Sequence, residues 1–316
     1  MKVAILILNW NGKSDTLRCL ESLSTSTHPG FQVYVLDNGS KVSEIEEIEK
    51  HWRQLGAVPP GRFTRSPVNL GFAGGMNALA QQALSDPQFK PDLILLLNND
   101  TLPDSRFLEP LIQAATRFPS YGVFGSVVVT PDRPGEETHE PISTGWLNLW
   151  TGSTPFTHEV SDQDLAPCEF VHGCSFCVRA DLWKSLGGLD EDYFAYYEES
   201  DFCRRAYVAG SGIAVVRASQ ILHEGSVSVN RFSGLQEFFM MRNRILFIRK
   251  NSAWFQKLIA FPYSVFVYGL KRSARAILYR QFSALKGVLL GLWFGFLGRK
   301  VDGVLVSGLF SKRRAA

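Results

Sequence analysis

Two groups of carboxylates contain the residues of this sequence that could do chemistry. The first is Asn98-Asn99-Asp100, which follows the very hydrophobic run LILLL. A carboxylate at the end of a buried strand can hold a divalent cation, because oxygen ligands suit Mg²⁺ and Mn²⁺. Such a cation neutralises charge that develops on a leaving diphosphate. In the alternative interpretation, Asp100 only caps a helix that begins at Thr101-Leu102-Pro103.

The second group is Tyr196-Tyr197-Glu198-Glu199-Ser200-Asp201. A base that deprotonates a hydroxyl must be within hydrogen-bond reach of it, and the neighbouring aromatic rings would raise the pKa of a carboxylate towards neutrality. Glu198, Glu199 and Asp201 are therefore candidate catalytic residues. Alternatively, these acids only balance the dipole at the amino terminus of a helix.

Three further features could bind a nucleotide or a metal. Asp37 ends a strand-like run and could accept hydrogen bonds from a base or a ribose, or it could form an Asx turn with Asn38 and Gly39. Residues 69–77, NLGFAGGMN, allow close backbone approach and open a helix whose amino terminus favours phosphate or ribose oxygens. His223 follows another apolar run and could bind a metal, although a lone histidine is more often structural.

These residues must be positioned by strands that alternate with helices. The apolar runs predict strands at residues 3–8, 32–36, 64–68, 93–97 and 123–130, and the helical segments are predicted from about residue 14 and at 42–55 and 76–84, with a glycine loop at 69–75. This alternation predicts an α/β fold with a mostly parallel sheet, in which ligands bind beyond the carboxyl ends of the strands. Residues 131–168 predict a long irregular loop that could include a hairpin and recognise an acceptor.

Composition excludes several classes of protein. The 316 residues are 45% hydrophobic and 20% charged, which is typical of a folded chain with a sizeable core. The glycine segment matches neither the Walker A pattern nor GxGxxG, so ATP hydrolysis and dinucleotide oxidoreduction lose support. The five cysteines are odd in number and lie in apolar surroundings, which predicts buried thiols in a reducing cytoplasm, and Cys174-x-x-Cys177 has no second pair to complete a zinc site.

The last part of the chain has a different composition from about residue 255. Its two apolar stretches, 258–270 and 288–297, are shorter than the ~18–20 residues that cross a bilayer, and basic residues lie between them. We therefore predict a main domain of residues 1–250 and a basic, amphipathic tail of residues 251–316 that lies on the inner face of a membrane. Its aromatic residues favour lipid over nucleic acid as the partner. Alternatively, these helices pack on the main domain or on a second subunit, as in a homodimer.

Taken in order, the segments ILILNWNG, VYVLDNGS, NLGFAGGMN, LLLNNDT, FVHGCSFCVRADLWKSLGGLDEDYFAYYEESDFCRR and HEGSVS resemble family 2 glycosyltransferases with a GT-A fold. The resemblance is strongest to the rhamnosyltransferase-like branch and covers about residues 1–250. It implies a nucleotide-sugar half at about 1–130 and an acceptor half at about 131–250. The family's DxD motif ends in a metal-binding Asp, so the resemblance implies Asp100 as ligand of Mg²⁺ or Mn²⁺ and His223 as a second ligand.

The resemblance also implies roles for the other candidates. The family's Glu-Asp pair supplies the base from its second member, which corresponds to Glu199, with Asp201 as a supporting acid. Because Glu replaces Asp, it stays open whether Glu199 or Asp201 contacts the acceptor. Asp37 would contact the nucleobase, while Gly74 and Asn77 would lie near the ribose and diphosphate. The remaining positions of the implied donor site are Asn9, Asn69, Gly71, Phe72, Asn98 and Asn99.

The resemblance implies an inverting enzyme that moves a sugar from a dTDP- or UDP-sugar to a hydroxyl of a glycan or lipid-linked glycan in cell-surface polysaccharide synthesis. Rhamnose is one candidate sugar. One alternative is a nucleotidyltransferase that makes a nucleotide sugar, although the amino-terminal ILNWNGKSD lacks the glycine-rich, basic signature that such an enzyme would show. Another alternative is a non-catalytic sugar-binding relative, which would be expected to have lost the metal ligand or the base.

Overall fold

A computed structural model describes residues 1–56, 59–131, 141–225 and 234–309 of the chain. Within these residues the strands are β1 Val3–Asn9, β2 Phe31–Asn38, β3 Gly61–Ser66, β4 Leu93–Asn98, β5 Thr101–Pro103, β6 Tyr121–Val129, β7 Leu165–Pro167, β8 Ser175–Arg179 and β9 Gly212–His223. The helices are α1 Lys13–Ser24, α2 Ile45–Gln54, α3 Gly71–Ser85, α4 Leu108–Arg117, α5 Ala180–Leu186, α6 Glu198–Val208, α7 Gly234–Asn251, α8 Trp254–Tyr263, α9 Leu270–Leu278, α10 Phe282–Leu297 and α11 Gly303–Leu309. A π-helical turn, Ser264–Gly269, joins α8 to α9.

All described strands belong to one sheet with the order β3-β2-β1-β4-β8-β6-β9-β5, and β7 pairs with β9. β1 to β4 are parallel to one another, whereas β8 runs antiparallel to both β4 and β6. The reversal of β8 sets its first residue, Ser175, opposite Leu97 near the end of β4. The start of β8 and the carboxyl ends of β1, β2 and β4 therefore lie at one edge of the sheet.

Helices cover both faces of the sheet. Val3, Ile5 and Ile7 of β1 pack into the core with α1, α2 and α4, while Ala4 and Leu6 pack into the core with α3, α5 and α6. Burial on both faces explains why the central strands are continuous apolar runs. Each large buried side chain contributes roughly 1.5–3 kcal/mol to folding by leaving water.

The predicted α/β sheet is present, but the predicted glycine loop at 69–75 is wrong, because α3 begins at Gly71. Its glycines allow close packing: a Cβ on Gly75 would lie 2.7 Å from the Leu8 side chain. Gly71 has φ +76° and lies against Phe194, where a Cβ would be 2.6 Å from the carbonyl oxygen. These glycines therefore serve close packing at the start of a helix, and their number does not indicate a flexible loop.

Two other local expectations have clear outcomes. Thr101–Pro103 is a short strand paired with β9, so Asp100 does not cap a helix that begins at Thr101. In the predicted irregular region, residues 145–156 form a hairpin whose bridges join Gly145 to Phe156 and Asn148 to Ser153. Residues 132–140 of that region lie outside the described part of the chain.

The carboxy-terminal helices pack on the main domain through glycines spaced four residues apart. A Cβ on Gly287 would lie 2.1 Å from the Gly234 carbonyl oxygen, and one on Gly291 would lie 2.6 Å from that of Phe238. A Cβ on Gly295 would lie 2.8 Å from the Ile245 side chain. The backbones of α10 and α7 are therefore in close contact. Asn251 ends α7 at the predicted domain boundary, but the tail folds back across that boundary.

The opposite side of these helices carries large apolar side chains that face solvent. We call this surface the apolar face, and its residues are Trp254, Leu258, Ile259, Phe266, Leu270, Ile277, Leu278, Phe282, Leu289, Trp293, Phe296 and Leu297. Lys271, Arg275 and Lys286 are exposed on the same helices. None of the helices that the structure describes has the length and apolar character needed to cross a membrane.

Candidate active site

The topology of the sheet brings together Asp100 and His223. β4 ends at Asn98, and the chain then turns into β5, in which Thr101 pairs with His223 at the end of β9. The His223 Nε2 lies 3.2 Å from the Asp100 Oδ1, and the Glu224 N–H donates to the Asp100 carbonyl oxygen at 3.0 Å. Asp100 is only 5% exposed. The two residues that the sequence predicts as metal ligands are therefore neighbours.

The chemistry of this pair fits a divalent cation. A carboxylate oxygen and an imidazole nitrogen 3.2 Å apart can occupy adjacent positions around an ion with bonds of about 2.0–2.2 Å. Among the described residues, no cluster of three or more His, Cys, Asp or Glu side chains could hold a metal ion. The other positions around an ion would fall to water and to a ligand such as a diphosphate, which is how Mg²⁺ is commonly bound in enzymes.

His172 also lies at this site, although no role was predicted for it from the sequence. Its ring centroid is 5.7 Å from that of His223, and its Nδ1 accepts a hydrogen bond from the Cys174 N–H at 3.1 Å. Burial lowers its pKa to about 4, assisted by His223 and opposed by Asp100. The ring is therefore neutral, and because Nδ1 accepts, it carries its proton on Nε2 as a donor. The feature of the sequence that could have identified His172 is its position just before the apolar strand β8.

The segment that precedes the predicted base has an unusual backbone. Phe194, Tyr196 and Tyr197 have φ values of 64°, 70° and 75°, which side-chain-bearing residues adopt at a cost of roughly 1–3 kcal/mol each. Asn243 of α7 compensates: its buried Nδ2 lies 2.6–2.9 Å from the carbonyl oxygens of Tyr193, Ala195 and Tyr196. Strain held by a buried polar clamp is typical of functional sites, and Asn243 is a residue that the sequence did not single out.

Glu199 lies where the strained segment enters α6. A Cβ on Gly173 would be 3.8–4.0 Å from the Glu199 side chain, so Glu199 is next to the His172-Gly173 peptide. Burial raises the pKa of Glu199. Its Oε1 accepts a hydrogen bond from the Ser200 hydroxyl at 3.3 Å. The structure therefore brings the predicted base close to His172, which is itself beside the Asp100–His223 pair.

Glu198 has a different environment. Burial, and then the charge of Glu199, raise its pKa well above the ordinary value. Its Oε2 is buried and has no hydrogen-bond partner among the described residues. Burial therefore raises the pKa of both neighbouring carboxyl groups, Glu198 and Glu199.

The predicted supporting acid, Asp201, is engaged elsewhere. Its Oδ2 pairs with the Arg205 Nε at 2.7 Å, while its Oδ1 accepts from the Tyr193 hydroxyl at 3.2 Å and from the Asn251 Nδ2 at 2.9 Å. The side chain is 2% exposed. Asp201 thus ties α6 to the strained segment and to the end of α7.

Asp37 and Asn9, at the ends of β2 and β1, form a buried polar network. The Asn9 Nδ2 donates to the Asp37 Oδ1 at 3.3 Å and to the Glu44 Oε2 at 2.8 Å. The Ser40 hydroxyl also donates to Asp37, and the Arg65 Nε lies 3.8 Å from its Oδ2. Asp37 is 0% exposed. The carboxylate therefore orders the ends of β1 and β2.

The amino terminus of α3 is also occupied by the protein itself. The N–H groups of Phe72 and Ala73 both donate to the Phe194 carbonyl oxygen, at 2.6 and 3.1 Å. The Asn69 Oδ1 accepts from the Gly71 N–H at 2.8 Å. These donors were expected to face phosphate or ribose oxygens; in the structure they hold the strained segment in place.

Asn77, Gly74 and the two asparagines before Asp100 complete the predicted set. Asn77 exchanges hydrogen bonds with the backbone of Leu189, at 2.8 and 2.9 Å, and Gly74 lies close to the Glu191 side chain. The Asn98 N–H donates to the Cys174 carbonyl, and the Asn99 Nδ2 donates to the Thr16 hydroxyl at 2.9 Å. Asn98 and Asn99 are thus close to Asp100, whereas Asn77 and Gly74 lie against the 189–191 segment.

The cysteines do not form disulfides or a zinc site among the described residues. All five cysteines are free thiols. Cys174 and Cys177 are buried in the core beneath the site, where burial raises the pKa of the Cys177 thiol to about 12. The HEGSVS segment continues beyond the described residues from residue 226.

A mostly parallel sheet with a carboxylate–histidine pair and a glutamate near the carboxyl ends of its strands is an α/β protein with a candidate ligand site at that edge. The sequence profile of glycosyl transferase family 2 matches residues 4–186, more than half of the chain, so the chain belongs to that family. The predicted family, the GT-A fold and glycosyltransferase activity are thereby confirmed.

Similar proteins come from bacteria and archaea. The chain is 26% identical over 230 residues to an N-acetylglucosaminyl-diphospho-decaprenol L-rhamnosyltransferase of Mycobacterium tuberculosis, covering 68% of this chain and 73% of the relative. It is 24% identical over 267 residues to the low-salt glycan biosynthesis hexosyltransferase Agl10 of Haloferax volcanii, covering 83% and 80%. The crystal structure of GalNAc-T7 with UDP, GalNAc and Mn²⁺ superposes with a TM-score of 0.59 at 14% identity, covering 72% of this chain and 44% of that one. The chain thus spans less than half of that protein, and the likeness concerns the fold.

Proposed function

We propose that this glycosyltransferase moves a sugar from a nucleoside-diphosphate donor to a hydroxyl of a lipid-linked glycan, with inversion at the anomeric carbon. The observation that carries the proposal is the arrangement at the sheet edge, where the 3.2 Å pair of Asp100 and His223 is next to His172, and Glu199 lies beside Gly173, the residue that follows His172. The activity of the mycobacterial relative supports rhamnose as the sugar and a polyprenyl diphosphate glycan as the acceptor.

In the proposed reaction, Glu199 is the base. Its carboxylate accepts the proton of the acceptor hydroxyl while the hydroxyl oxygen bonds to the anomeric carbon and the bond from that carbon to the diphosphate oxygen breaks. The raised pKa of Glu199 suits this step, because a more basic carboxylate accepts a proton more readily. A single displacement inverts the anomeric carbon and requires no covalent intermediate on the protein. We assign Asp201 a supporting role, because both of its oxygens are occupied.

We further propose that Asp100 and His223 bind Mg²⁺ or Mn²⁺, which when bound stabilises the charge of the departing diphosphate. His172 would assist with its Nε2–H, since a neutral imidazole that donates a hydrogen bond stabilises a developing oxyanion. Asn98 and Asn99 would lie next to the donor, because they immediately precede Asp100. For Asp37 we propose a contact with the nucleobase, with the hydrogen bond from Asn9 holding the carboxylate in position.

The proposal is tested by incubating the protein with dTDP-rhamnose, UDP-N-acetylglucosamine and other nucleotide sugars, with Mg²⁺ or Mn²⁺, and with a short-chain polyprenyl diphosphate N-acetylglucosamine as acceptor. Release of nucleoside diphosphate together with glycosylated acceptor is the expected result, and NMR of the product would show inverted anomeric configuration. Release of pyrophosphate would instead favour a nucleotidyltransferase. Absence of turnover with every donor would favour the non-catalytic relative.

We also propose that the apolar face binds the surface of an anionic membrane. One side of α10 packs on α7 through Gly287, Gly291 and Gly295, and on its other side Leu289 and Trp293 are both 56% exposed. The exposed Lys271, Arg275 and Lys286 on these helices would attract anionic headgroups. A membrane-bound enzyme would meet a lipid-linked acceptor at the surface that holds it. The alternative of a homodimer through the same face predicts a dimer in detergent-free sedimentation experiments.

A further inference from the structure

A cavity of about 520 Å³ lies outside the Asp100–His223 site. Its lining includes Trp146, Asn148 and Trp150 of the hairpin, Glu169 and Gln256 of α8. Trp146 and Trp150 are 46% and 45% exposed, although large aromatic side chains are normally buried. Two half-exposed tryptophans in a concavity with amide and carboxylate groups indicate a ligand with both apolar faces and hydroxyls.

The polar groups of the cavity have hydrogen-bonding capacity to spare. The Glu169 Oε2 accepts from the Leu147 N–H at 2.5 Å, and the Gln256 Oε1 accepts from the Ala253 N–H at 2.8 Å. In the described part of the chain, the second Glu169 oxygen and the Gln256 Nε2 have no hydrogen-bond partner. These two groups can therefore accept from and donate to ligand hydroxyls.

The hairpin that carries the tryptophans connects two parts of the molecule. At one end, the Phe156 ring lies 5.2 Å from the ring of His172 in the catalytic site. At the other end, the Ser252 hydroxyl donates to the Leu149 carbonyl at 2.8 Å, and the Trp150 ring packs 5.6 Å from Phe255 of α8. The cavity thus lies on the segment between the catalytic centre and the helices that bear the apolar face.

We propose that this cavity binds a neutral saccharide unit of the acceptor. This inference rests on the proposed function and specifies a subsite for it. The C–H face of a pyranose ring stacks on the negative face of an indole ring, and its hydroxyls pair with the carboxylate of Glu169 and the amide of Gln256. An anionic lipid headgroup fits less well, because the described lining contains a carboxylate and neither Lys nor Arg.

The test is saturation-transfer difference NMR on the full chain, without donor or metal, with the methyl glycosides of N-acetylglucosamine, rhamnose, glucose, galactose and mannose. We expect at least one glycoside to give a saturation-transfer signal, which reports its binding to the protein. We expect Trp146→Ala and Trp150→Ala to weaken this binding by about tenfold or more. Trp150→Phe keeps a flat ring and should retain most of the binding, which guards against a folding defect in the alanine variant. Trp293→Ala removes a 56% exposed tryptophan from the apolar face and should leave glycoside binding unchanged.

The outcomes separate this inference from the proposed function. The saccharide site is overturned if no glycoside gives a saturation-transfer signal. It is also overturned if the signal is equal in the wild type and in Trp146→Ala. A loss of vesicle binding in Trp146→Ala with unchanged glycoside binding would assign the cavity to lipid and also overturns it. Release of nucleoside diphosphate is measured separately, so a wild-type chain that releases it but binds no glycoside retains the proposed function and loses only this site.

Discussion

At the scale of single residues, Glu199 and Asp201 differ in what surrounds their carboxylates. Both carboxylates were candidate bases from the sequence, but Asp201 pairs with Arg205 and accepts from Tyr193, whereas Glu199 lies beside Gly173, the residue that follows His172. A base must be accessible to the hydroxyl that it deprotonates. The difference in contacts therefore leads to opposite predictions for the two amides.

Glu199→Gln is expected to lower kcat by about 10²–10⁴-fold without lowering the melting temperature, because it removes a proton acceptor and a charge that burial disfavours, and no core contact. Asp201→Asn is expected to lower the melting temperature, because it weakens the pair with Arg205 and leaves that guanidinium partly uncompensated. Initial rates and thermal unfolding of both variants check this. Full activity in Glu199→Gln together with an inactive but stable Asp201→Asn would move the base to Asp201.

Glu198→Gln is expected to stabilise the protein at neutral pH. The folded-state pKa of Glu198 is raised, so between its ordinary value of 4.5 and that raised value the folded state binds more protons than the unfolded state. Stability therefore falls as the pH rises through this window, and the neutral amide removes this loss. Melting temperatures of the wild type and the variant from pH 5 to pH 8 should diverge as the pH rises. Parallel curves would contradict the assignment of a buried, unpaired carboxyl.

At the scale of elements, α7 has two roles that its sequence does not reveal. One side of the helix presents Asn243 to the strained segment before Glu199, and another side receives the glycines of α10. α7 lies beyond the residues 4–186 that match the family profile. The helix therefore connects the position of the base to the packing of the tail.

Asn243→Ala is expected to lower kcat at least about tenfold with little change in the donor KM, because the carbonyls of Tyr193, Ala195 and Tyr196 lose their shared donor and the strained backbone relaxes. Ile245→Val on the same helix is the matched control, since it costs about 0.5–1.5 kcal/mol of stability without touching the segment. Steady-state kinetics and melting temperatures of both variants are compared. Equal kcat losses in the two variants would reduce Asn243 to a general contributor to stability.

Gly291→Ala is expected to destabilise the protein by about 1–3 kcal/mol, because its Cβ would lie 2.6 Å from the Phe238 carbonyl oxygen and would force α10 away from α7. The control is Gly308→Ala in α11, where a Cβ would meet nothing within 4 Å. At that position alanine should be neutral or stabilising by up to about 1 kcal/mol. Denaturant unfolding measures both, and a stable Gly291→Ala variant would show that the helices can separate without cost.

At the scale of the whole molecule, the catalytic edge, the hairpin and the apolar face form a continuous path. The hairpin contacts His172 through Phe156 and contacts α8 through Leu149 and Trp150. The tail cannot be removed without exposing the side of α7 that α10 covers. Single substitutions on the apolar face are therefore a better test of membrane binding than truncation.

The double variant Leu258→Glu and Trp293→Glu is expected to lose binding to vesicles that contain phosphatidylglycerol, because both exposed side chains would have to carry a charge into the interface. Cosedimentation with vesicles measures the effect. Tyr207→Glu, a charge introduced at a 62% exposed position on α6, is the matched control and should bind like the wild type. Undiminished sedimentation of the double variant would contradict the proposal.

Much of the fold was predictable because the local pattern of hydrophobic residues indicates which segments are buried. Continuous apolar runs such as LILLL predicted the central strands, and the polar residues at their ends predicted the edge at which Asp100 lies. The ordered motifs predicted the family. The short strand at Thr101–Pro103 and the start of α3 at Gly71 were not predicted, because each depends on a distant partner, β9 in one case and β1 with Phe194 in the other.

The sequence by itself determined the fold class, the family and the residue types of the site. Only the tertiary structure decided that His172 joins Asp100, that Asp201 supports the fold, and that Asn243 holds the segment before Glu199. The reason is physical: hydrophobic periodicity reports whether a segment is buried, but not which segment lies beside it. The antiparallel insertion of β8 next to β4 sets the neighbours of Asp100, and the local pattern of neither strand encodes that pairing.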